Sequence, residues 1–306
     1  MNIAYIFPGQ GAQFVGMGKE LYDAVPEAKA VFDQANELFD GNLMKIMFEG
    51  PPDLLTLTAN SQPAIVTHSI AAVQAFKANP KYREIRPKFT AGLSLGEYSA
   101  LAAAGTLSFG RTINLVRKRA ALMEAATQLK PGKMAAIIGL DKTRLEDICQ
   151  LAGAQIANYN SPQQIVITGD AAKVEEAARL CQEAGARNVV MLDVSGAFHS
   201  SLMETAAEQF RIELNRTPIE TAHIPVVSNV DAHPVTDPQD IILNLSRQIT
   251  SSVQWVDSIQ YMAGQGVTDF IEFGPGKVLK GLIRRIDPKL KVHNIATPAD
   301  IDALPF

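Results

Sequence analysis

The sequence is poor in cysteine: only Cys149 and Cys181 occur in 306 residues. Two thiols do not form a disulfide framework in a chain of this length, and no Cys-x-x-Cys pair offers a zinc site. Both cysteines lie in stretches with a helical pattern. We therefore expect them to be small buried apolar residues rather than reactive thiols.

Long hydrophobic runs are also missing. No stretch approaches the run of about 18 apolar residues that marks a transmembrane helix. The apolar run near the amino terminus follows no basic segment and ends early at Pro8-Gly9, so we expect it not to be a signal peptide. We expect a cytoplasmic protein of bacterial type; a plastid origin, with a transit peptide removed earlier, is the alternative.

Charge is scarce and nearly balanced. Charged residues make up 20% of the chain, and the formal net charge is −4. This argues against a general binder of nucleic acids or of anionic membranes, although local basic clusters remain open. Hydrophobic residues make up 47%, which allows a sizeable core in one large domain or in one plus a smaller one.

Apolar runs that end at turn signals alternate with amphipathic helical patterns along most of the chain. This order is typical of an α/β core with a parallel sheet. The predicted strands of the core are 3–8, 89–93, 224–230 and 268–273. The predicted helices are 27–39, 63–77, 109–126, one from about 200, 239–249, 253–264 and 278–286.

The pattern between residues 134 and 193 differs. Strand patterns at 134–140, 155–159, 164–168 and 188–193 enclose helical patterns at 142–152 and 171–184. The order β-α-β-β-α-β is that of a ferredoxin-like module. The sequence therefore predicts a small inserted domain at 130–196 and a discontinuous core made of 1–129 and 197–306.

A serine stands at a predicted strand-to-helix turn, in Gly92-Leu93-Ser94-Leu95-Gly96. This context is typical of a G-x-S-x-G nucleophile elbow. The helix amino terminus and the N–H that follows the serine can stabilise an oxyanion. Ser94 and Glu97 also fit a helix capping box, so the motif alone leaves a structural role open.

A nucleophilic serine needs a base, usually histidine, and the sequence offers His68, His199, His223, His233 and His293. His68 lies mid-helix and favours a structural role. His199 lies where the inserted module returns to the core, in a loop that can overhang a cleft. The sequence favours His199 without eliminating the others.

Arg119 lies on the apolar stripe of the helix predicted for 109–126, whereas Arg117 and Lys118 fall outside that stripe. A guanidinium that faces the core needs an anionic partner or several carbonyls. The partner is either an internal carboxylate or the carboxylate of a substrate, held by a bidentate clamp.

The glycine-rich loop after the first strand, Gly9 to Gln13, is not a dinucleotide fingerprint, because Phe14 stands where the third glycine would be. An alternative is that the backbone N–H of Gln10 completes an oxyanion hole opposite Ser94. Serine acyl-transfer sites use two N–H groups from different loops in this way.

Together these segments resemble the malonyl-CoA:acyl carrier protein transacylases of type II fatty acid synthesis, over essentially the whole chain. The matching segments, in the family's order, are Phe7 to Gln13, Ser61 to Ala64, Gly92 to Tyr98, Arg117 to Arg119 with Met123, Asn160 to Pro162, Gly196 to His199, Arg247-Gln248, Val253 to Trp255 and Gly274 to Lys277.

The resemblance implies a hydrolase-like α/β core with a ferredoxin-like subdomain, and it implies roles for single residues. These are Ser94 as nucleophile, His199 as base, Gln248 as the residue whose main-chain carbonyl orients His199, Arg119 as carboxylate clamp, Gln10 and Leu95 as oxyanion amides, and Gln62 and Asn160 as pocket residues. Two short segments bear on substrate preference and on the elbow. Ala197-Phe198-His199 is similar to the sequence that, in related acyltransferase domains, is associated with a preference for malonyl over methylmalonyl.

Leu93 stands where many relatives have the histidine of a Gly-His-Ser elbow. This difference leaves the tuning of the pocket open.

The implied activity is transfer of malonyl from malonyl-CoA to acyl carrier protein through an ester on Ser94, in a monomer without cofactor or metal. Because such carriers are acidic, docking needs a local positive patch. The candidates are Lys277, Lys280, Arg284 and Arg285.

Three alternatives remain. A malonyltransferase that serves polyketide synthesis in trans would share every residue. A serine hydrolase or thioesterase would need an acidic residue between serine and histidine, and the candidates are Asp141, Asp147, Asp170 and Asp193. A binding module with a capped helix at Ser94 would not be acylated.

Overall fold

A computed structural model describes residues 2–194 and 196–306, so Met1 and Ser195 lie outside the described residues. The strands are β1 (Ile3–Phe7), β2 (Phe89–Gly92), β3 (Gly132–Ile138), β4 (Gln155–Ser161), β5 (Gln164–Asp170), β6 (Asn188–Met191), β7 (Val226–Val227), β8 (Pro234–Val235), β9 (Asp269–Phe273) and β10 (Lys291–Ile295).

The helices of the core before the small sheet are α1 (Lys19–Ala24), α2 (Pro26–Glu37), α3 (Leu43–Glu49), α4 (Pro52–Thr56), α5 (Thr58–Ala78), α6 (Gly96–Ala103) and α7 (Phe109–Leu129). The others are α8 (Lys142–Ala152), α9 (Ala171–Glu183), α10 (Glu204–Arg216), α11 (Pro238–Gln248), α12 (Trp255–Gly264), α13 (Val278–Ile286) and α14 (Pro298–Asp302), with a 3₁₀ turn at Ser201–Met203.

The larger sheet has the order β10-β9-β1-β2-β7-β8 and is parallel except for β8, which runs antiparallel to β7. Every residue of β1 and β2 is buried, as expected of strands covered by helices on both faces. Phe7 pairs with Gly92, so β1 and β2 end at the same edge of the sheet. The loops that carry Gln10 and Ser94 therefore start side by side.

The smaller sheet has the order β4-β5-β3-β6 and is antiparallel throughout. The helices α8 and α9 pack on it, and their apolar faces enclose a separate small core. The predicted fold class, a mostly parallel α/β core with a ferredoxin-like module, is confirmed. The division of the chain into domains at 130 and 196 stays a prediction.

Both cysteines belong to this small core and are buried. Burial raises the pKa of Cys149 to about 12 and that of Cys181 to about 11. Neither is a thiolate at neutral pH, so neither is a nucleophile there.

Two core elements differ most from their predicted bounds. The helix predicted for 63–77 begins at Thr58 and contains Pro63, because packing along almost its whole length outweighs the tendency of proline to end a helix. The strand predicted for 224–230 is only Val226–Val227. Beyond it the N–H of Ser228 bonds the carbonyl of His233, and Asn229 turns toward the site described next.

Among residues 2–194 and 196–306, no helix is long and apolar enough to cross a lipid bilayer.

Candidate active site

Ser94 lies on a sharp turn between β2 and α6, with a left-handed backbone (φ 50°). The turn packs so closely on β1 that a Cβ on Gly96 would overlap the carbonyl of Phe7. The side chain of Asn229 fixes the turn: its Oδ1 accepts from the N–H of Ser94 and its Nδ2 donates to the carbonyl of Gly92, both at 2.6 Å. These bonds hold a conformation that is otherwise unfavourable for serine.

The capping-box interpretation of Ser94 and Glu97 is wrong. The helix α6 begins at Gly96 and has no side-chain cap, and Ser94 directs its hydroxyl to His199 instead. Glu97 turns inward, where its Oε2 accepts from the side chain of Gln248 and from the N–H of Asn229. The serine hydroxyl therefore does not cap the helix and is available to His199.

His199 faces Ser94, and its Nε2 lies 2.7 Å from the Ser94 Oγ. Its own backbone is left-handed (φ 59°), and the hydroxyl of Thr168 on β5 anchors the loop by donating to the carbonyl of Phe198. The Nδ1 of His199 donates to the main-chain carbonyl of Gln248 at 2.8 Å. The histidine is thus held from the small sheet and from the core together.

The protonation state of His199 follows from its surroundings. Burial, and then the charge of Arg119, lower the pKa of His199 to about 4, so the ring is neutral at pH 7. A carbonyl can only accept, so Nδ1 carries the proton and the lone pair of Nε2 faces the serine hydroxyl. This is the state that a general base requires.

The other histidines have other partners. His68 is buried and bonds the carbonyl of Ala296, His293 pairs with Asp269 at 3.0 Å, and His233 bonds the main chain of Asp231. His223 borders a separate hollow at the opposite edge of the sheet.

No aspartate completes a hydrolase triad in the described part of the chain. Asp141 and Asp170 cap α8 and α9, and Asp147 lies in a hollow between those helices. Asp193 borders the active-site cavity, but the Nδ1 of His199 bonds Gln248. The third position is therefore occupied by a neutral carbonyl.

Arg119 is 1% exposed, and its hydrogen-bond partners are neutral side chains. Its Nη1 donates to Gln62 Oε1 at 2.9 Å, and its Nη2 donates to Gln248 Oε1 and to Ser94 Oγ, both at 3.2 Å. Within residues 2–194 and 196–306 it has no carboxylate at ion-pair distance, and its Nε has no partner. An internal salt bridge is therefore the wrong interpretation, and the positive charge remains available to a ligand.

A cavity of about 320 Å³ joins these groups. Of the residues that the sequence singled out, it is lined by Ser94, His199, Arg119, Gln10, Leu95, Asn160, Leu93, Met123 and Phe198. Gln62 lies one layer further in, behind the guanidinium, and is absent from the described lining.

Two features of the cavity bear on ligands. A Cβ on Gly9 would lie 2.5 Å from the carbonyl of Leu93, so only glycine allows the loop of Gln10 to pack against the elbow that carries Leu95. The buried Oδ1 of Asn160 has no partner in the described chain and can accept from a ligand. Among residues 2–194 and 196–306, no group of three His, Cys, Asp or Glu side chains could hold a metal ion.

Asn229 and Glu97 were missed as site residues. Asn229 follows β7, which lies beside β2, so the shared edge of parallel strands could have indicated it. Glu97 was interpreted from its spacing to Ser94 as part of a capping box. That local spacing cannot reveal its contact with Gln248, which lies more than a hundred residues away in the chain.

A serine on an elbow, a neutral histidine and a buried cation without a carboxylate partner among the described residues share one cavity. This arrangement fits serine-based transfer of an anionic acyl group. Comparison with known families gives the same class, since the model of the acyl transferase domain matches residues 4–293. The chain belongs to this family.

Individual relatives are more specific. The chain is 47% identical to the malonyl CoA-acyl carrier protein transacylase of Bacillus subtilis (strain 168), with 98% of this chain and 95% of the relative covered. An acyl-carrier-protein-S-malonyltransferase from Bartonella henselae superposes with a TM-score of 0.95 at 42% identity, covering 99% and 98% of the two chains. The resemblance found in the sequence is confirmed.

A third relative was solved with its partner. A malonyl-transacylase in complex with a type II PKS acyl-carrier protein superposes with a TM-score of 0.94 at 34% identity, covering 99% of this chain and 98% of that one.

Proposed function

We propose that this chain transfers the malonyl group from malonyl-CoA to the phosphopantetheine thiol of an acyl carrier protein in fatty acid synthesis. The observation that carries the proposal is the position of the Ser94 Oγ, 2.7 Å from a neutral histidine and 3.2 Å from an arginine that has no carboxylate partner in the described chain. The first contact supplies a nucleophile and the second selects an acidic acyl group. The names of the relatives support the same donor and acceptor.

The reaction proceeds in two mirrored halves. The Oγ of Ser94 attacks the thioester carbonyl while His199 Nε2 takes the hydroxyl proton. The N–H groups of Gln10 and Leu95 stabilise the oxyanion that forms. The CoA sulfur leaves with the proton from His199, and malonyl remains as an ester on Ser94. His199 then takes the proton of the carrier thiol, whose sulfur attacks the ester, and Ser94 recovers its proton as the malonyl thioester departs.

Other residues select and orient the acyl group in this proposal. Arg119 clamps the malonyl carboxylate, and Gln62 and Gln248 hold its guanidinium in place without cancelling its charge. Asn160 accepts from an amide N–H of the pantetheine arm. The Nδ1 bond to a carbonyl orients His199 without adding a carboxylate that would compete for Arg119.

The covalent step is tested by mixing the protein briefly with malonyl-CoA, quenching in acid and analysing the peptides by mass spectrometry. We expect one malonyl group on the peptide that contains Ser94 and a burst of free CoA equal to the enzyme present. No malonyl on Ser94 would refute the scheme. Transfer to water as fast as to a carrier thiol would instead indicate a hydrolase.

A second carrier is suggested by one relative. Because the solved complex pairs a malonyl-transacylase with a type II PKS carrier, a role in polyketide synthesis uses the same residues. Comparing kcat/KM for fatty acid and polyketide carrier proteins separates the two pathways. A cytoplasmic location, a monomeric state and the lack of a resident cofactor are further parts of the proposal.

The acidic carrier docks, in this proposal, on the basic face of α13. Lys277, Lys280, Arg284 and Arg285 are exposed, and no salt bridge involves them in the described chain. The turn before this helix lies beside the cavity. A Cβ on Gly276 would be 3.6 Å from the carbonyl of Ala12, whose neighbours Gly11 and Gln13 line the cavity.

Reversing the charge of this face tests the docking site. The double variant Lys280→Glu/Arg284→Glu is expected to raise KM for the carrier protein about tenfold or more, with KM for malonyl-CoA unchanged, because long-range attraction is lost. The control is Lys81→Glu/Arg83→Glu, near the amino end of β2 and opposite the site. An equal effect of both pairs would mean that only net charge matters.

A further inference from the structure

The proposed mechanism leaves one buried carboxylate without a role. Glu97, in the first turn of α6, is 2% exposed and has no salt bridge in the part of the chain that the structure describes. Burial raises the pKa of Glu97 to about 7. A buried carboxylate beside a reactive serine is costly unless its hydrogen bonds serve a purpose.

The partners of Glu97 identify that purpose. Its Oε2 accepts from the side-chain Nε2 of Gln248 at 2.6 Å and from the N–H of Asn229 at 3.3 Å. The same Nε2 donates to the carbonyl of Ser94 at 3.1 Å, and the Oε1 of Gln248 accepts from Arg119. One amide thus links the carboxylate to the guanidinium.

An amide can rotate so that its oxygen and its nitrogen exchange places in nearly the same space. If the Gln248 amide did so, its NH₂ group would face the donors of Arg119, and its oxygen would face the carbonyl of Ser94. An ionised carboxylate only accepts, so Glu97 in its ionised form favours the orientation that keeps the Gln248 oxygen, an acceptor, against Arg119. The main-chain carbonyl of Gln248, which holds His199, is unaffected by this rotation.

Distance also matters. An acidic group in direct contact with Arg119 would occupy the place that the substrate carboxylate needs. Glu97 is separated from the guanidinium by the Gln248 amide, so it acts on Arg119 through that amide and leaves the edge toward Ser94 open to the substrate carboxylate.

We propose that Glu97 is a positioning residue for malonyl selection: through the Gln248 amide, it holds the Arg119 guanidinium in the orientation that binds the acyl carboxylate. This inference rests on the proposed malonyl transfer. It predicts that loss of Glu97 weakens the reaction of malonyl-CoA more than that of acetyl-CoA, which has no carboxylate to bind.

The test compares Glu97→Gln and Glu97→Met with malonyl-CoA and acetyl-CoA as donors and one carrier protein as acceptor. Methionine has similar length but no acceptor, so we expect Glu97→Met to lower the malonyl-to-acetyl ratio of kcat/KM about tenfold or more, mainly through KM for malonyl-CoA. Glutamine can present its oxygen to Gln248, so Glu97→Gln should keep the ratio within about threefold of wild type. The matched control is Glu272→Met, the same substitution at another fully buried carboxylate, which accepts from the first turn of α13 and should not change the ratio.

Equal loss for both donors in Glu97→Met, an unchanged ratio, or no rescue by Glu97→Gln would each overturn the inference. If Glu97→Met fails to fold, Gln248→Met replaces it, because it removes the amide but keeps the main-chain carbonyl; an unchanged ratio there would be equally fatal. Wild type in the same assay tests the proposed function separately, since a wild type without malonyl transfer refutes that function whatever the variants do.

Discussion

Replacing Ser94 by alanine is expected to abolish malonyl transfer, with kcat falling by on the order of 10³ to 10⁶. The Oγ is the atom proposed to carry the acyl group, and Ser94 is the only serine among the described residues that line the cavity. The measurement is malonyl transfer to a carrier protein, followed with radiolabelled malonyl-CoA, together with a search for the acylated peptide. Both signals should vanish.

The fold should survive this change. Alanine keeps the Cβ, so the left-handed turn is neither relieved nor further strained, and the N–H bond to Asn229 remains. Thermal unfolding close to that of wild type is the control. Persistent transfer, or malonyl found on another residue of the variant, would show that Ser94 is not the nucleophile.

Replacing Arg119 by alanine is expected to lower kcat/KM for malonyl-CoA by about two to three orders of magnitude and to spare, or even raise, that for acetyl-CoA. Truncating one partner of a buried charge pair costs about 2–5 kcal/mol, because the other charge is left unpaired. An acetyl group brings no charge, so it loses nothing when the guanidinium is absent. Steady-state kinetics with both donors measure the difference.

Arg117 provides the matched control two residues earlier on the same helix. Its guanidinium is exposed and donates to the carbonyl of Leu38 on the outer surface, so Arg117→Ala should leave both donors unaffected. If Arg119→Ala impairs malonyl and acetyl transfer equally, the residue supports the fold and does not select the acyl group.

Much of the fold was predictable because its elements carry local signals. The helix α8 has the predicted bounds, since Asp141 caps its start and the left-handed Gly153 ends it. The helix α13 also has its predicted bounds, with a strongly one-sided apolar face. The strand β8 and the helices α1, α3, α4 and α14 were not predicted. Each of these elements is too short for its apolar residues to show a strand or helix period.

The candidate site divides in the same way. Ser94 and Arg119 were identified from local patterns, an elbow and a charged residue on an apolar stripe. His199 was one of five histidines, because its selection depends on a contact with Ser94 that joins distant parts of the chain. The inward position of Glu97 also depends on a contact between distant parts of the chain, its hydrogen bond with Gln248. Only the folded structure shows that contact.

The left-handed backbone at Ser94 and His199 has a consequence for engineering. Glycine would relax the main chain at both positions, since it alone adopts this conformation without a steric penalty. Selecting this protein for heat resistance alone would therefore favour replacements that destroy the pair of side chains on which turnover depends. Any stabilised library must be screened for turnover as well as for melting temperature.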